Sequence, residues 1–429
     1  MKVAFHTLGC KVNSYETEAV MEKFIAKGYE IVNYDDFSDV YVVNSCMVTN
    51  AGEKKSKQII RRPHNYNPKA IIIVMGCLTQ LKAEEILEIE GVKIVLGTKN
   101  RDLIVDYLET YLKEKKPLNM VSPLETKENY DPLAIIDFKT QKRAFLKIQD
   151  GCNNFCTYCI IPYTRGRIRS KTKDVILEEV KHLVENGHIE VVLTGIHTGG
   201  YGEDLNDYSF AELLKDLESI SGLKRIRISS IEITEIDDEI LSVIAKSHKI
   251  VHHLHVPLQS GANRILKLMN RKYTTKEYQS IIETIRNKIP DVAFTTDVIV
   301  GFPGETDEDF EEAYNFIKNI KFQELHVFPY SRRQGTIADK MPNQVDGRLK
   351  KDRVHRLIEL SDKLMEIHVK KSIGSIHYVI AEQVKEGFLV GHSRDYIALK
   401  FIGNENLLGQ EVKVKIISAD KPYNNAILT

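Results

Sequence analysis

From the first residue to about residue 115, short apolar runs alternate with stretches whose apolar positions recur every three or four residues. The runs predict strands at Val3–Phe5, Val40–Val43, Ile71–Val74 and Lys93–Leu96. The helical period predicts helices at Glu16–Ala26, Glu53–Arg62, Leu81–Glu90 and Arg101–Glu114, with Pro63 ending the second. Strands alternating with helices imply a parallel sheet covered on both faces. Lys115 to Asp137 carries Pro117, Pro123 and Pro132 with little periodicity and reads as a linker. From Arg143 the alternation resumes. Strands are expected at Ala144–Ile148, Glu190–Thr194, Arg225–Ser229, Val251–Val256, Ala293–Val300 and Glu324–Pro329. Helices are expected at Thr172–Asn186, Ser209–Ser219, Asp237–Ser247, Thr275–Lys288 and Asp307–Ile320. Six such units in series predict an open, partial version of the eight-fold barrel, whose working edge is the carboxyl end of its strands. After a basic helical stretch, Arg348–Lys371, the period changes to two. Ile376 to Thr429 then reads as five short strands of a small β-barrel, a form that commonly binds oligonucleotides.

Composition narrows the setting. The 429 residues include 60 basic and 60 acidic side chains, so the formal net charge is zero and any nucleic-acid binding must come from local patches. The longest apolar run, Ala70 to Met75, is too short to span a membrane. The start, MKVAFHTLGCKVNSYETE, turns polar within a dozen residues and is not expected to be a secretory signal. The expected setting is cytoplasmic and reducing, where six cysteines point to metal binding or catalysis.

Three of those cysteines, Cys152, Cys156 and Cys159, lie within the stretch Ile148–Lys173 in the spacing C-x3-C-x2-C. Three thiolates so close together can face one metal centre. A four-iron cluster normally takes four cysteines, so three leave one iron open to a substrate or cofactor. A zinc site completed by a distant histidine, or simple buried thiols, are the alternatives at this point. Cys10, Cys46 and Cys77 each follow one of the first three predicted strands. They are therefore expected at the ligand-binding edge of the sheet, as a second three-thiolate site rather than three unrelated buried residues.

The predicted barrel strands end in loops that are candidates for ligand contact: Thr194–Gly202, Ser229–Glu232, Pro257–Gly261 and Gly301–Thr306. Glycine-rich strand ends are also ordinary turn chemistry, and Thr306 with Asp309 fits a helix cap. His253 and His255 are expected as satisfied residues of the barrel interior rather than a metal pair. The basic segment Lys54–Arg62 fits a solvated face as well as a binding one. Arg165, Arg167, Arg169, Lys171 and Lys173 are expected to put positive charge at the mouth of the cysteine loop, and Lys413 and Lys415 to share one strand face of the small barrel.

Taken together, C-x3-C-x2-C with Tyr158 before its last cysteine, the Cys10/Cys46/Cys77 set, the partial barrel and the terminal small barrel resemble the radical S-adenosylmethionine methylthiotransferase family. The resemblance implies an α/β protein in parts. These are an N-terminal Rossmann- or flavodoxin-like domain (1–115), a linker (116–137), a partial radical S-adenosylmethionine barrel (138–372) and a TRAM- or OB-like barrel (373–429). LGCKVNSYETE, GCNNFCTYCIIPYTRGRIRS and DVIVGFPGET are most similar to the branch acting on N6-threonylcarbamoyladenosine in tRNA. The branch acting on isopentenyladenosine more typically has Gln-Met where this chain has Lys11-Val12, and the branch acting on a ribosomal protein has Pro-Lys.

The resemblance further implies two 4Fe-4S clusters. One, on Cys152, Cys156 and Cys159, binds S-adenosylmethionine and yields a 5′-deoxyadenosyl radical. The other, on Cys10, Cys46 and Cys77, supplies sulfur, and a second S-adenosylmethionine gives the methyl group. Tyr158 is expected near the adenine, Thr194 and Gly195 at the methionine amino group through their carbonyls, Glu232 at the ribose, and Ser260 or Asp297 along the pocket. Expected partners are a tRNA anticodon stem-loop, an electron donor of flavodoxin or ferredoxin type and a sulfur source, with no membrane. The competing readings are the same reaction on isopentenyladenosine and a non-catalytic, zinc-holding RNA-binding protein.

Overall fold

In the computed structural model, which describes residues 1–125 and 129–429, the first unit is a six-stranded parallel sheet. Its strands are β1 (Lys2–Thr7), β2 (Glu30–Val32), β3 (Val40–Ser45), β4 (Ile71–Gly76), β5 (Val92–Val95) and β6 (Leu118–Asn119), in the order β2-β1-β3-β4-β5-β6. The central β3, VYVVNS, is buried along its whole length, as expected of a parallel strand covered on both faces. The covering helices are α1 (Lys11–Ala26), α2 (Asn50–Arg61), α3 (Pro63–Tyr66), α4 (Cys77–Leu87) and α5 (Ile104–Glu114). Thr49 caps α2 by accepting the Gly52 N–H at 3.0 Å. Pro63 ends that run and opens the one-turn α3, where its missing N–H costs nothing. The two short strands β2 and β6 have little apolar pattern and were not expected from the sequence.

The second unit carries β7 (Ala144–Lys147), a small antiparallel ladder of β8 (Gln149–Asp150) with β9 (Arg169–Ser170), then β10 (Glu190–Thr194), β11 (Arg225–Ile228), β12 (His253–His255), β13 (Ala293–Val300) and β14 (Glu324–Pro329). Two parallel three-stranded sheets, β11-β10-β7 and β12-β13-β14, are joined through the bridges Ile226↔Ile250 and Ser230↔His255. This is the expected partial barrel, open between β14 and β7. Its interior is polar: Glu190, Arg225, Arg227, His253, His255, Asp297 and His326 alternate with core residues along their strands.

The third unit closes β15 (Ile376–Lys385), β16 (Phe388–Ser393), β17 (Ala398–Phe401), β18 (Glu411–Ser418) and β19 (Asn424–Leu428) into a five-stranded barrel. It docks on the amino ends of the central strands. Arg225 donates to Glu411 and to the Tyr378 carbonyl, both at 2.6 Å, and Arg227 to the Ser393 carbonyl at 3.1 Å. Tyr396 stacks between His253 and His392, with ring centroids 4.7 and 4.6 Å away. Arg143 and Arg227 also lie over the Tyr396 ring.

The expected linker is mostly not a free spacer. Its residues 126–128 lie outside the described residues. Of the remainder, Leu133 and Ile135 are buried in the core shared by the first two units, beside Phe138, the first residue of the expected barrel segment. Glu22 accepts the N–H groups of Ile136 and Asp137, and Glu18 accepts that of Thr140, so acids of α1 hold this segment down.

The same helix makes the principal junction. Glu16 is fully buried and meets Lys147 and Arg165, each at 2.8 Å, together with Arg101. Asp150 pairs with Lys147 at 2.6 Å and Arg165 at 3.1 Å, while Arg101 also holds Asp131 at 2.9 Å. Burial alone would raise both carboxyl pKa values. The surrounding cations, Arg101 and Arg165 first for Glu16 and Arg165 and Lys147 first for Asp150, hold both well below the ordinary carboxylate range. Beside this network Tyr15 donates to Glu179 at 2.5 Å and accepts from Lys171 at 2.7 Å.

Breaking a buried charge set by removing one member leaves the others uncompensated, at about 3–5 kcal/mol. Glu16→Gln should therefore lower the unfolding free energy by about that amount in urea titrations; a loss under about 1 kcal/mol would contradict the network's role. The small-barrel junction should be acid-sensitive. Glu190, among Arg227, Arg143 and Arg225, is held at about 2 against an ordinary 4.5 despite its burial. Its contribution is therefore full above pH 4.5 and lost as pH falls toward 2. Amide exchange in β15 and β16 should rise over that window, and less steeply in Glu190→Gln.

Candidate active site

β1, β3 and β4 are neighbours in the sheet, with Thr7 opposite Asn44 and Ser45 opposite Gly76. Their carboxyl ends therefore bring Cys10, Cys46 and Cys77 to one edge. Cys10 is exposed, Cys46 half-buried and Cys77 buried, and all six cysteines are free thiols. Two of the three follow glycines in the same left-handed conformation, Gly9 at φ 108° and Gly76 at φ 107°. A Cβ on Gly9 would stand 3.1 Å from the Cys46 Cβ and 3.2 Å from its sulfur, so only glycine lets the two cysteine loops approach. Asn13 ties the group together. It donates to the carbonyls of Leu8 at 2.6 Å and Ser45 at 3.3 Å, and accepts from Arg165 at 2.8 Å.

Cys152, Cys156 and Cys159 occupy the loop after β8. A Cβ on Gly151, at φ 75°, would fall 1.8 Å from the Arg167 carbonyl, so the loop closes tightly on the chain that leaves it. Thr157 is anchored by its N–H to the Met269 carbonyl at 3.1 Å, and Asn270 donates to the Phe155 carbonyl at 3.2 Å. Arg271 donates to the Cys156 sulfur at 3.4 Å and forms an ion pair with Glu232. His197 lies 3.1 Å from the Asn154 amide and pairs with Glu235. Burial would lower the His197 pKa, but the Glu235 hydrogen bond and charge outweigh it and raise it. Gln149 links the loops, accepting the His197 N–H at 2.8 Å and donating to the Gly151 carbonyl at 2.7 Å.

Arg165 connects the two cysteine groups through Asn13, and Thr98 donates to the Thr164 carbonyl at 2.8 Å across the same junction. Ile160, next to Cys159, packs in the core that also contains Cys46 and Cys77. Both groups therefore open on one junction between the first two units.

The donor sets fit iron–sulfur clusters. Each offers three thiols and no fourth. Burial pushes Cys152 and Cys159 up to about 12 and Cys46 to about 11, so they are thiols at neutral pH until a metal takes their protons. Among the described residues no three side chains close round a single metal ion. Beside the Cys152 loop the Thr194 hydroxyl and His197 Nδ1 are buried without a hydrogen-bond partner, which suits a polar cofactor there.

The other expected site residues fare unevenly. Tyr158 packs edge-on to Phe302, with centroids 6.4 Å apart. The Thr194 carbonyl already accepts the Ile148 N–H at 2.9 Å, and a Cβ on Gly195 would lie 2.8 Å from Gln149 Oε1. Glu232 faces the loop but is held by Arg271. Ser260 is buried and accepts from the Ala262 N–H at 3.3 Å, within its own loop. Asp297 faces the lumen, 3.3 Å from His255 Nε2. His253 and His255 both meet the Thr295 hydroxyl, at 3.0 and 2.9 Å, so both are interior as expected, but His253 is only half satisfied because its Nδ1 is buried without a partner.

The expected basic mouth is corrected by burial. Arg165, Arg169 and Lys171 are 0%, 3% and 2% exposed. Arg165 is committed to Glu16 and Asp150, Arg169 lies 3.7 Å from Asp150, and Lys171 pairs with Glu179, so none presents a cation to phosphate. Arg167 is exposed over the Phe155 ring at 4.5 Å, and Lys173 is exposed over Tyr208. Lys413 and Lys415 share an exposed face of β18. Sequence reasoning missed Asn13, Gln149, Asn154, Glu235 and Arg271. Asn13, Gln149 and Asn154, like His197, lay in stretches already singled out for their cysteines or glycines, whereas Glu235 and Arg271 lay outside every one of them.

The cysteine loop at the carboxyl end of a partial barrel defines the radical S-adenosylmethionine class, and residues 146–317 match the Radical SAM superfamily. Residues 2–97 match a family described as Uncharacterized protein family UPF0004. The chain is 49% identical to Threonylcarbamoyladenosine tRNA methylthiotransferase MtaB of Bacillus subtilis (strain 168), covering 98% of this chain and 95% of that one. It is 40% identical to the MtaB of Aquifex aeolicus (strain VF5), covering 97% and 100%. With tRNA-2-methylthio-N(6)-dimethylallyladenosine synthase of Carboxydothermus hydrogenoformans the identity is 37%, covering 96% and 95%. The chain belongs to the radical S-adenosylmethionine tRNA methylthiotransferase family. Among solved structures, the radical S-adenosylmethionine methyltransferase TsrM of Kitasatospora setae shares the fold, with a TM-score of 0.57 at 13% identity over 79% of this chain and 77% of that one.

Gly9→Ala should disturb the Cys10/Cys46/Cys77 set alone. Anaerobically reconstituted protein should drop from about eight irons per chain, two clusters of four, to about four. Unchanged iron would show that the two loops tolerate the methyl group.

Proposed function

We propose that this protein adds a methylthio group to carbon 2 of N6-threonylcarbamoyladenosine beside the anticodon of tRNA. The observation that carries the reading is the opening of two three-cysteine sets on one junction, bridged by Arg165 and Asn13. The 49% identity to an MtaB over nearly the whole chain supports this substrate over isopentenyladenosine.

Carbon 2 of adenine bears a C–H bond with neither leaving group nor useful acidity, beyond the reach of side-chain acid–base chemistry. Two 4Fe-4S clusters and S-adenosylmethionine, when bound, supply the one-electron, sulfur and methyl chemistry that such a bond requires. The chain's own residues hold and orient. Cys152, Cys156 and Cys159 would hold the first cluster, and Cys10, Cys46 and Cys77 the second. Arg271 places a cation against Cys156, and its pair with Glu232 fixes that guanidinium. The unpartnered Thr194 hydroxyl and the lumen-facing Asp297 are offered as cofactor contacts, with Tyr158 and Phe302 forming an apolar wall nearby. The Glu16 network excludes water between the two units and keeps the cysteine sets in register.

The exposed Arg167, Lys173, Lys413 and Lys415 are the phosphate contacts of this reading, with the target base splayed from its loop. A tRNA substrate implies a cytoplasmic enzyme. An electron donor of flavodoxin or ferredoxin type and a sulfur source complete the expected partners. Among the described residues no helix is long and apolar enough to cross a membrane.

Mass spectrometry of tRNA nucleosides tests the assignment. Cells lacking the gene should accumulate unmodified N6-threonylcarbamoyladenosine, and restoring the gene should restore the 2-methylthio form. A response confined to isopentenyladenosine would move the protein to the sister branch. Cys46→Ala should abolish methylthiolation; retained product would make the N-terminal cysteines merely structural.

A further inference from the structure

We propose that the Lys11 ammonium binds the carboxylate of the substrate's threonylcarbamoyl group and thereby selects an anionic N6 substituent over an apolar one. This rests on the substrate reading above and adds the residue that reads it. Lys11 is the first residue of α1, directly after Cys10, and is exposed. Among the described residues its ammonium has neither a hydrogen-bond nor an ion-pair partner.

Its neighbours are the walls of the barrel lumen. Arg143, Arg227, Asp297 and Cys10 are the charges that act on Lys11, and its own charge is in turn felt by His253 and His326. These groups flank or lie on β7, β11, β12, β13 and β14. The helix that Lys11 begins, α1, packs against β7, one edge of the barrel's open side, so Lys11 stands where the first unit meets that opening. The other cations there are matched: Arg143 by Glu382 at 3.0 Å, Arg227 by Glu190 at 3.1 Å. Asp297 faces His255.

The chemistry of the base fits this position. Carbon 2 and the N6 substituent lie on the same edge of adenine, separated by one ring nitrogen. A base that turns carbon 2 toward the Cys10 set must bring its N6 group close to the residue beside Cys10. The threonyl carboxylate is anionic at neutral pH, whereas a dimethylallyl group carries no charge. An otherwise unmatched ammonium makes a charge-assisted hydrogen bond with the first and has nothing to bond in the second.

The test uses reconstituted full-length enzyme and anticodon stem-loops carrying either N6-threonylcarbamoyladenosine or its neutral carboxamide. Wild type should bind the carboxylate form about 10- to 100-fold more tightly, the range for a hydrogen bond between charged groups, and show the same preference in kcat/KM. Lys11→Met should lose the preference by weakening only the carboxylate form, and Lys11→Arg should restore most of it. Equal losses on both stem-loops, or no loss on either, would overturn the proposal. Wild-type enzyme that makes no product from the carboxylate form would sink the substrate reading and the proposal with it. Iron near eight per chain in Lys11→Met separates lost recognition from a lost cluster.

Discussion

Glu16 and Asp150 lie in a space from which water is excluded, and each needs more than one cation to remain charged there. Arg101 comes from the first unit, Lys147 and Arg165 from the second, and Asp131 from the segment between them. No unit is electrically complete alone. The charges therefore act as a lock rather than a glue. Apolar surfaces would tolerate sliding, whereas displaced charges would be stranded in a dry interior. Because Asn13 and Arg165 belong both to the lock and to the cysteine loops, the relative position of the two thiol sets follows from the same charges.

The stretch around Cys10 illustrates how densely one motif is used. In LGCKVNSYETE the glycine makes room for Cys46, the asparagine ties three loops, and the tyrosine and acids hold the second unit and the connecting segment. Only the cysteine and, by our proposal, the lysine face chemistry. A run that resembles an active-site motif is for the most part the joint that makes the active site possible.

Much of the architecture was legible because period and burial coincide. β10, β13 and β14 begin and end where the apolar pattern does, and the strand-end placement of Cys10, Cys46 and Cys77 follows from chain order alone. The misreadings share one cause. Arg165 and Lys171 look like a basic surface because their acids, Glu16 and Glu179, stand elsewhere in the chain, and only folding brings Glu16 to Arg165. Pro-rich spacing suggested a free linker, although the apolar residues in PLAIIDF were a sign that it is packed. Docking of the small barrel left no local trace except the alternating arginines of β11, which are too polar for a barrel interior without a partner.

That docking has a consequence for traffic. Tyr396, wedged between His253 and His392, stoppers the amino end of the lumen, with Arg143 and Arg227 gripping its ring. The central barrel thus has a base at its amino end, with the cysteines at the opposite end. On the proposed reading, cofactor and nucleic acid both approach at the cysteine end, so the seating of one alters access for the other. A tRNA seated there would act as a lid, keeping solvent from whatever has already gone in.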